Sequence, residues 1–234
     1  MDLGTLFSGK IINRYKRFFA DIELPDGKII TAHTPNTGSM KTCWQPGWQA
    51  LLSHSDNPKR KLAYTLEFLS NNETWIGVNT SRTNHIVEHF LQTKQIPELK
   101  KYSEIKREVK FGASRIDFCL SNGAEELCYI EVKNVTLKSA ENMAAFPDAV
   151  STRAQKHLGE LIKLKKQGHR AIIFFLVQRE DVKAFTPALE IDPNYATWLK
   201  LAEQAGVEIL IYQTALKGNN ISLKGKLPLK WPNV

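Results

Sequence analysis

The chain has 234 residues, 42% of them hydrophobic, enough for one large domain or two small ones with an ordinary core. A formal net charge of +8 and a pI near 9.3 favour polyanionic partners, nucleic acid ahead of anionic membrane, although many basic proteins meet no polyanion. Three cysteines, Cys43, Cys119 and Cys128, without Cys-x-x-Cys spacing argue against a disulfide framework or a zinc site. The longest strongly apolar run, Ala171–Val177, is far too short to span a bilayer, and Met1–Lys10 lacks the apolar stretch of a signal peptide. A cytoplasmic protein with no membrane partner is expected.

No internal repeat is evident, but the chain changes texture near residue 82. Residues 1–82 read as short strands separated by turns. Lys10–Leu24 is predicted as one strand running into the turn Pro25-Asp26-Gly27, with Lys28–Ala32 as its hairpin partner. Trp48–Ser53, Tyr64–Leu69 and Thr74–Val78 are further strand candidates, and the Pro-, Asn- and Gly-rich stretches between them are loops. A small OB-like barrel suits that strand count.

Residues 83–234 alternate helix and strand, the pattern of a mixed α/β sheet covered by helices, which makes the whole chain α+β. Asn84 is placed to cap a helix whose apolar residues Ile86, Val87, Phe90 and Leu91 recur at helical spacing. Strands Ser114–Leu120 and Leu127–Val132 follow, joined by Ser121-Asn122-Gly123. Helix Ser151–Lys166 has Val150, Ala154, Leu158 and Leu161 as its apolar stripe and stops before Gly168. Strand Ala171–Val177, helix Tyr195–Gln204 and strand Val207–Tyr212 complete the core. Lys217–Val234 reads as an irregular tail with room for a short strand at Asn220–Leu223.

The chemistry concentrates in Ser114–Phe118 and Tyr129–Asn134. Side chains alternate across a strand, so Ile116, Phe118 and Leu120 are expected on one face and Asp117 on the other. In the second strand Cys128, Ile130 and Val132 enter the core while Glu131 and Lys133 share the opposite face. Asp117 and Glu131 are fourteen positions apart, a length that fits two strands and a turn. Antiparallel pairing would bring the carboxylates together. Two such groups repel unless a hard cation sits between them. Mg²⁺ or Mn²⁺ held by Asp117 and Glu131, with the Val132 carbonyl as a third ligand, would stabilise charge on a phosphate and activate water. Lys133 would orient that water. The arrangement resembles the Asp…Glu-x-Lys set of the PD-(D/E)xK nucleases, with Ile116 where that name has Pro. The bland alternative is a solvated strand face carrying a surface Glu–Lys pair of little energetic weight.

Glu88, on the preceding helix, is the candidate additional acid, against the reading of an exposed helix-surface Glu. Arg153, Lys156 and His157 open the long helix, and Arg153 and His157, four apart, share a side that could meet a scissile phosphate. In the first half, Arg14-Tyr15-Lys16-Arg17-Phe18-Phe19 interleaves cations and aromatics on the predicted strand, as single-strand platforms do. The alternative is a strand whose aromatics, Phe18 or Phe19, fill the barrel. Asn36, Thr37 and Ser39 lie in a loop of small hydrogen-bonding groups suited to an anion nest, or simply to being a loop.

These stretches, together with Pro35–Met40, Asn57–Leu62, Trp75–Thr80, Arg107–Lys110, Glu131–Leu137, Phe146–Val150, Lys156–Leu158 and Ile191–Pro193, resemble the SfsA (sugar fermentation stimulation protein A) family along nearly the full length. The departures are Thr34 and Ala154, where relatives are expected to carry Cys and Gly, and neither touches the acid–acid–lysine set. The resemblance implies an N-terminal OB-like domain, a C-terminal restriction-endonuclease-like domain, non-specific DNA binding and a regulatory link to maltose and sugar metabolism. The functional expectation is a DNA-binding protein with a metal-dependent nuclease site, the alternative a non-catalytic DNA-binding regulator. Whether the chain forms a homodimer is left open.

Overall fold

The computed structural model describes residues 1–112, 114–123 and 126–232. Its first layer grows from short amphipathic strands. β1 (Phe7–Tyr15), β2 (Phe19–Glu23) and β3 (Ile29–His33) form an antiparallel meander, and β1 also pairs with β4 (Gln49–His54), which pairs with β5 (Tyr64–Ser70) and on to β6 (Trp75–Gly77). A parallel bridge between His33 of β3 and Thr65 of β5 closes the barrel. Closure removes the free sheet edges and gives the OB architecture. Ile11, Ala20, Ile22, Ala32, Ala50, Leu52, Leu66 and Leu69 fill its interior.

Lys10–Leu24 is not one strand. It folds back through the three-residue loop Lys16-Arg17-Phe18, with Lys16 and Arg17 both at positive φ (48° and 64°). Neither aromatic fills the barrel: Phe18 is 46% exposed and Phe19 only half-buried, while Ala20 and Ile22 take the inner positions.

A 3-10 turn (Thr80–Arg82), capped by the Asn79 side chain, leads into α1 (Thr83–Gln92). Asn84 does not cap this helix. It lies within the first turn, and the N-cap position, Arg82, makes no side-chain capping bond. Instead Arg82 reaches back to Glu67 of β5 through both carboxylate oxygens, at 2.6 and 2.8 Å, while Asn79 and Ser53 donate to the same oxygens at 2.8 and 2.6 Å. A buried carboxylate needs such compensation, and its donors stitch the barrel to the helix that follows.

The second sheet runs β15-β14-β12-β9-β8-β7, from strands β7 (Glu104–Phe111), β8 (Ser114–Ser121), β9 (Cys128–Val135), β12 (Arg170–Val177), β14 (Glu208–Lys217) and β15 (Asn220–Lys226). A smaller sheet joins β10 (Leu137–Lys138), β11 (Ala144–Phe146) and β13 (Phe185–Pro187). Strands β9, β12 and β14 are parallel, and β12 is apolar and buried almost throughout, as a central parallel strand must be. α1 covers one face, where Ile86, Val87 and Phe90 meet Phe118, Ile130 and Phe174. α2 (Thr152–Lys166) and α3 (Pro193–Gln204) cover the other, where Leu158, Leu161 and Leu199 meet Tyr129, Ile173 and Phe175.

Two expectations of face are corrected. Ile116 packs in the α2–α3 layer, not with Phe118 and Leu120, because β8 leaves its partner strand just there. Val150 is 68% exposed and lies ahead of the Ser151 cap, outside the helical stripe. The strand allowed for at Asn220–Leu223 is present and three residues longer, β15 pairing with an extended β14 over Lys217↔Asn220 to Tyr212↔Lys226, while residues 233–234 fall outside the described part. No helix among the described residues is long and apolar enough to cross a membrane.

Candidate functional site

Strands β8 and β9 are paired at Leu120↔Cys128, Cys119↔Tyr129 and Phe118↔Ile130, and the next residues outward are Asp117 and Glu131. At this point the strands part. The Val132 N–H is taken by the Asp117 side chain, Oδ2 at 2.7 Å, and Asp117 Oδ1 accepts from Asn84 Nδ2 of α1, also at 2.7 Å. A strand residue presents its N–H and C=O along one edge, so the Val132 carbonyl belongs to the edge that Asp117 occupies. The site is therefore a splayed strand end, with Asp117 wedged where a ladder hydrogen bond would have been.

Glu131 is 3% exposed and points into the α2 side. Its Oε1 accepts from Lys133 Nζ at 2.6 Å and from His157 Nδ1 of α2. Lys133 Nζ and His157 Nδ1, 3.3 Å apart, both aim at that one oxygen. The other oxygen, Oε2, is buried with no hydrogen-bond partner among the described residues. An orphaned carboxylate oxygen in a low-dielectric site is costly. It marks a place for a positive group.

The electrostatics agree. Burial, and then the neighbouring Glu131 charge, push the Asp117 carboxyl up to about 6, against the pull of the Val132 and Asn84 hydrogen bonds and of Lys133. Burial works in the same direction on Glu131, but the hydrogen bond from His157 and the charge of Lys133 outweigh it and hold that carboxyl below its ordinary value. The two acids are thus held in different states of readiness. Among the described residues no cluster of three or more Asp, Glu, His or Cys side chains is arranged to hold a metal ion. Two carboxylates and a carbonyl suit a cation that retains several waters, such as Mg²⁺, better than one needing a full protein cage.

The other sequence candidates divide. His157, 6% exposed, is brought to the acid pair, but as a donor to Glu131 and not on an open surface. Glu88 is held in an ion pair with Arg107 of β7 at 2.9 Å, and the α1 side chain that meets Asp117 is Asn84, one turn earlier. Arg153 and Lys156 stand exposed on the first turns of α2. In the barrel, Arg14 spends its Nη2 on the carbonyls of Arg17, Asn36 and Gly38 at 3.1, 2.8 and 3.2 Å, and so braces the loop. Tyr15 donates to Asp21 at 3.2 Å, and Lys16 and Arg17 are exposed at the hairpin tip.

Asn36 Oδ1 accepts from Gly38 N at 2.8 Å, Thr37 is exposed, and the Ser39 N–H donates to Asp148 Oδ2 at 2.9 Å across the domain seam. Glycine at position 38 leaves room for this contact, since a Cβ there would displace the Asp148 carboxylate. This loop and the residues following Lys133, among them Asn134 and Thr136, line a cavity of about 270 Å³. Asn84 and Asp148 were missed as site residues. An Asn at helical spacing and an Asp after Pro carry no chemical signature until the fold places them.

A closed OB barrel ahead of a mixed sheet that splays to present two acids and a lysine defines the class: an OB domain joined to a restriction-endonuclease-like domain. Residues 12–78 match the family model of the SfsA N-terminal OB domain, and residues 81–220 that of the sugar fermentation stimulation protein RE domain. The chain belongs to the sugar fermentation stimulation protein (SfsA) family. It is 49% identical over 226 residues to the sugar fermentation stimulation protein homolog of Geotalea uraniireducens (strain Rf4), covering 96% of this chain and 97% of that protein. It is 51% identical over 213 residues to the homolog of Desulfotalea psychrophila (strain LSv54), covering 90% and 89%. The solved structure of Pyrococcus furiosus SfsA in complex with Ca²⁺ superposes with a TM-score of 0.89 at 28% identity, covering 98% of both chains.

Proposed function

We propose that this protein hydrolyses phosphodiester bonds in nucleic acid, DNA first, using Mg²⁺ or Mn²⁺ held between Asp117 and Glu131. The observation that carries the reading is the unpartnered, buried Oε2 of Glu131 beside a second carboxyl whose ionisation is disfavoured, its pKa pushed up to about 6. That the Pyrococcus furiosus relative was solved with Ca²⁺, another oxygen-seeking divalent cation, supports it. When bound, the ion would offset charge developing on the phosphate and activate water.

The chain's own groups supply the rest. His157 fixes the rotamer of Glu131, so one oxygen stays committed and the other faces inward. Asn84 and the Val132 N–H hold Asp117 with both oxygens oriented. The Lys133 ammonium, on Glu131 at rest, has further N–H donors for a water or a phosphate oxygen. Arg153 and Lys156, exposed beside it on α2, would position the backbone of the nucleic acid without reading its sequence.

The test is incubation of purified protein with single- and double-stranded DNA and RNA, with Mg²⁺, with Mn²⁺ and with chelator. Metal-dependent cutting should fall roughly a hundredfold or more in Lys133→Ala and in Asp117→Asn. Cutting that survives both substitutions would overturn the assignment. Salt-sensitive binding with no cleavage under any metal would instead leave a non-catalytic DNA-binding protein.

A further inference from the structure

We propose that an open pocket on the seam between the two domains binds an unstacked nucleotide of a single-stranded segment leading to the acid pair. This rests on the reading that nucleic acid is the substrate of that pair. The pocket has a volume of about 500 Å³, within the usual range for ligand sites. The barrel contributes Lys41, Trp44, Gln45 and Trp48 from the turn between β3 and β4, and the second domain contributes Lys138 and Asn142 from the hairpin that begins at β10.

The chemistry is that of a nucleotide. Both indoles are half-buried, one part resting on the barrel core and the rest turned to the pocket, so they offer rigid faces for a base to stack on. The amides of Gln45 and Asn142 can each donate to and accept from a base edge. Lys41 is exposed on the rim, where a phosphate would lie. Lys138 and Arg179 are both paired with Asp181, at 3.0 and 2.7 Å, so among the described residues Lys41 on the rim is the lining cation left for an anionic group, and a neutral saccharide would leave it unused.

The floor is stiff. Arg179, 2% exposed, ties the seam together by donating to the Thr136 carbonyl at 2.6 Å and the Thr42 carbonyl at 3.2 Å, and its charge is met by Asp181 at 2.7 Å. Placement links the pocket to the chemistry. Lys138 follows Lys133 by five residues in a segment that is extended for most of its length, at most about 16 Å. Between them Asn134, Thr136 and Leu137 line the smaller cavity, so acid pair, cavity and pocket follow one track along β9 and β10. A duplex cannot present a base face to Trp44 or Trp48 without unstacking it, so the pocket selects single strands.

The experiment measures binding in chelator, where cutting plays no part. A short labelled single-stranded oligodeoxynucleotide is titrated with the whole protein by fluorescence anisotropy, alongside its duplex and maltose followed by tryptophan quenching. The single strand should bind more tightly than the duplex and quench tryptophan. Trp44→Ala should weaken single-strand binding roughly ten- to hundredfold, and Lys41→Glu, on the exposed rim where folding is not at stake, should weaken it in the same sense. Equal binding of single strand by wild type and both variants, equal quenching by duplex, or quenching by maltose alone would overturn the proposal. Persistent single-strand quenching in a protein that never cleaves would uphold the pocket while removing the hydrolysis. Cleavage without quenching would do the reverse.

Discussion

Asp117 is held at odds with its neighbours. Its carboxyl rests at about 6 in the folded chain because burial and the Glu131 charge disfavour ionisation. Folding therefore favours the protonated form. That contribution is complete below the ordinary carboxylate value near 3.8 and is lost as pH rises through about 6. Asp117→Asn removes the charge at the cost of one acceptor, since Asn84 and Val132 both donate to this side chain. In chelator at pH 8 the variant should be more stable than the wild type by on the order of 1 kcal/mol, and the gap should close by about pH 4. Urea melts at the two pH values measure it, and a gap that does not change with pH would contradict the picture. A divalent cation should raise the melting temperature of the wild type and not of the variant. Stability surrendered in this way is what a preorganised site looks like.

The helices that carry His157 and the α3 wall are anchored by one residue. Asp192 caps α3 through Tyr195 N at 2.9 Å, and also accepts from Ser151 N at 2.9 Å and from Gln155 Nε2 at 2.9 and 3.1 Å at the start of α2. Its carboxylate thus serves the N-termini of two helices at once, where the dipoles favour negative charge. Asp192→Ala should cost about 2–4 kcal/mol, more than one ordinary cap, and a loss below 1 kcal/mol in chemical denaturation would show that α2 is positioned by packing alone. At this scale the sequence was informative wherever a period was long. The helices over Ser151–Lys166 and Tyr195–Gln204 and the strand Ala171–Val177 emerge within two residues of their expected ends. The hairpin at Lys16-Arg17 left no trace, because neither residue is a turn former and positive φ is imposed by the strands on either side. The short strands β10, β11 and β13 were equally silent, being too brief to show alternation.

Over the whole molecule the two domains are locked by more than their linker. Met1–Leu3 crosses to the far end of the second sheet: Leu3 N donates to Asn219 O, Ile221 N donates to Met1 O, both at 2.9 Å, and Leu3 packs in the core beside α1. A boundary at residue 82 therefore describes the chain but not the packing, for the first residues belong to the second domain's edge. A chain starting at Phe7 should lose about 2–4 kcal/mol, from the buried Leu3 and the two backbone hydrogen bonds. The loss should appear in the unfolding of the second domain, and an unaltered melting curve would refute the bracing role. The Ser39–Asp148 contact and the Arg179 hydrogen bonds to Thr42 and Thr136 close the same seam from the other side.

The residues alone determined the two-domain order, the barrel, the helix-covered sheet, and the spacing that unites Asp117, Glu131 and Lys133. Each of these rests on local periodicity and short-range pairing, which neighbours in the chain can encode. Only the tertiary structure decided that Asp117 fills a gap in the ladder, that His157 turns inward to hold Glu131, that Asn84 stands where an acid was sought, and that Arg14 braces a loop. Those roles depend on which distant strand or helix happens to lie opposite, and a side chain's type does not record its partner.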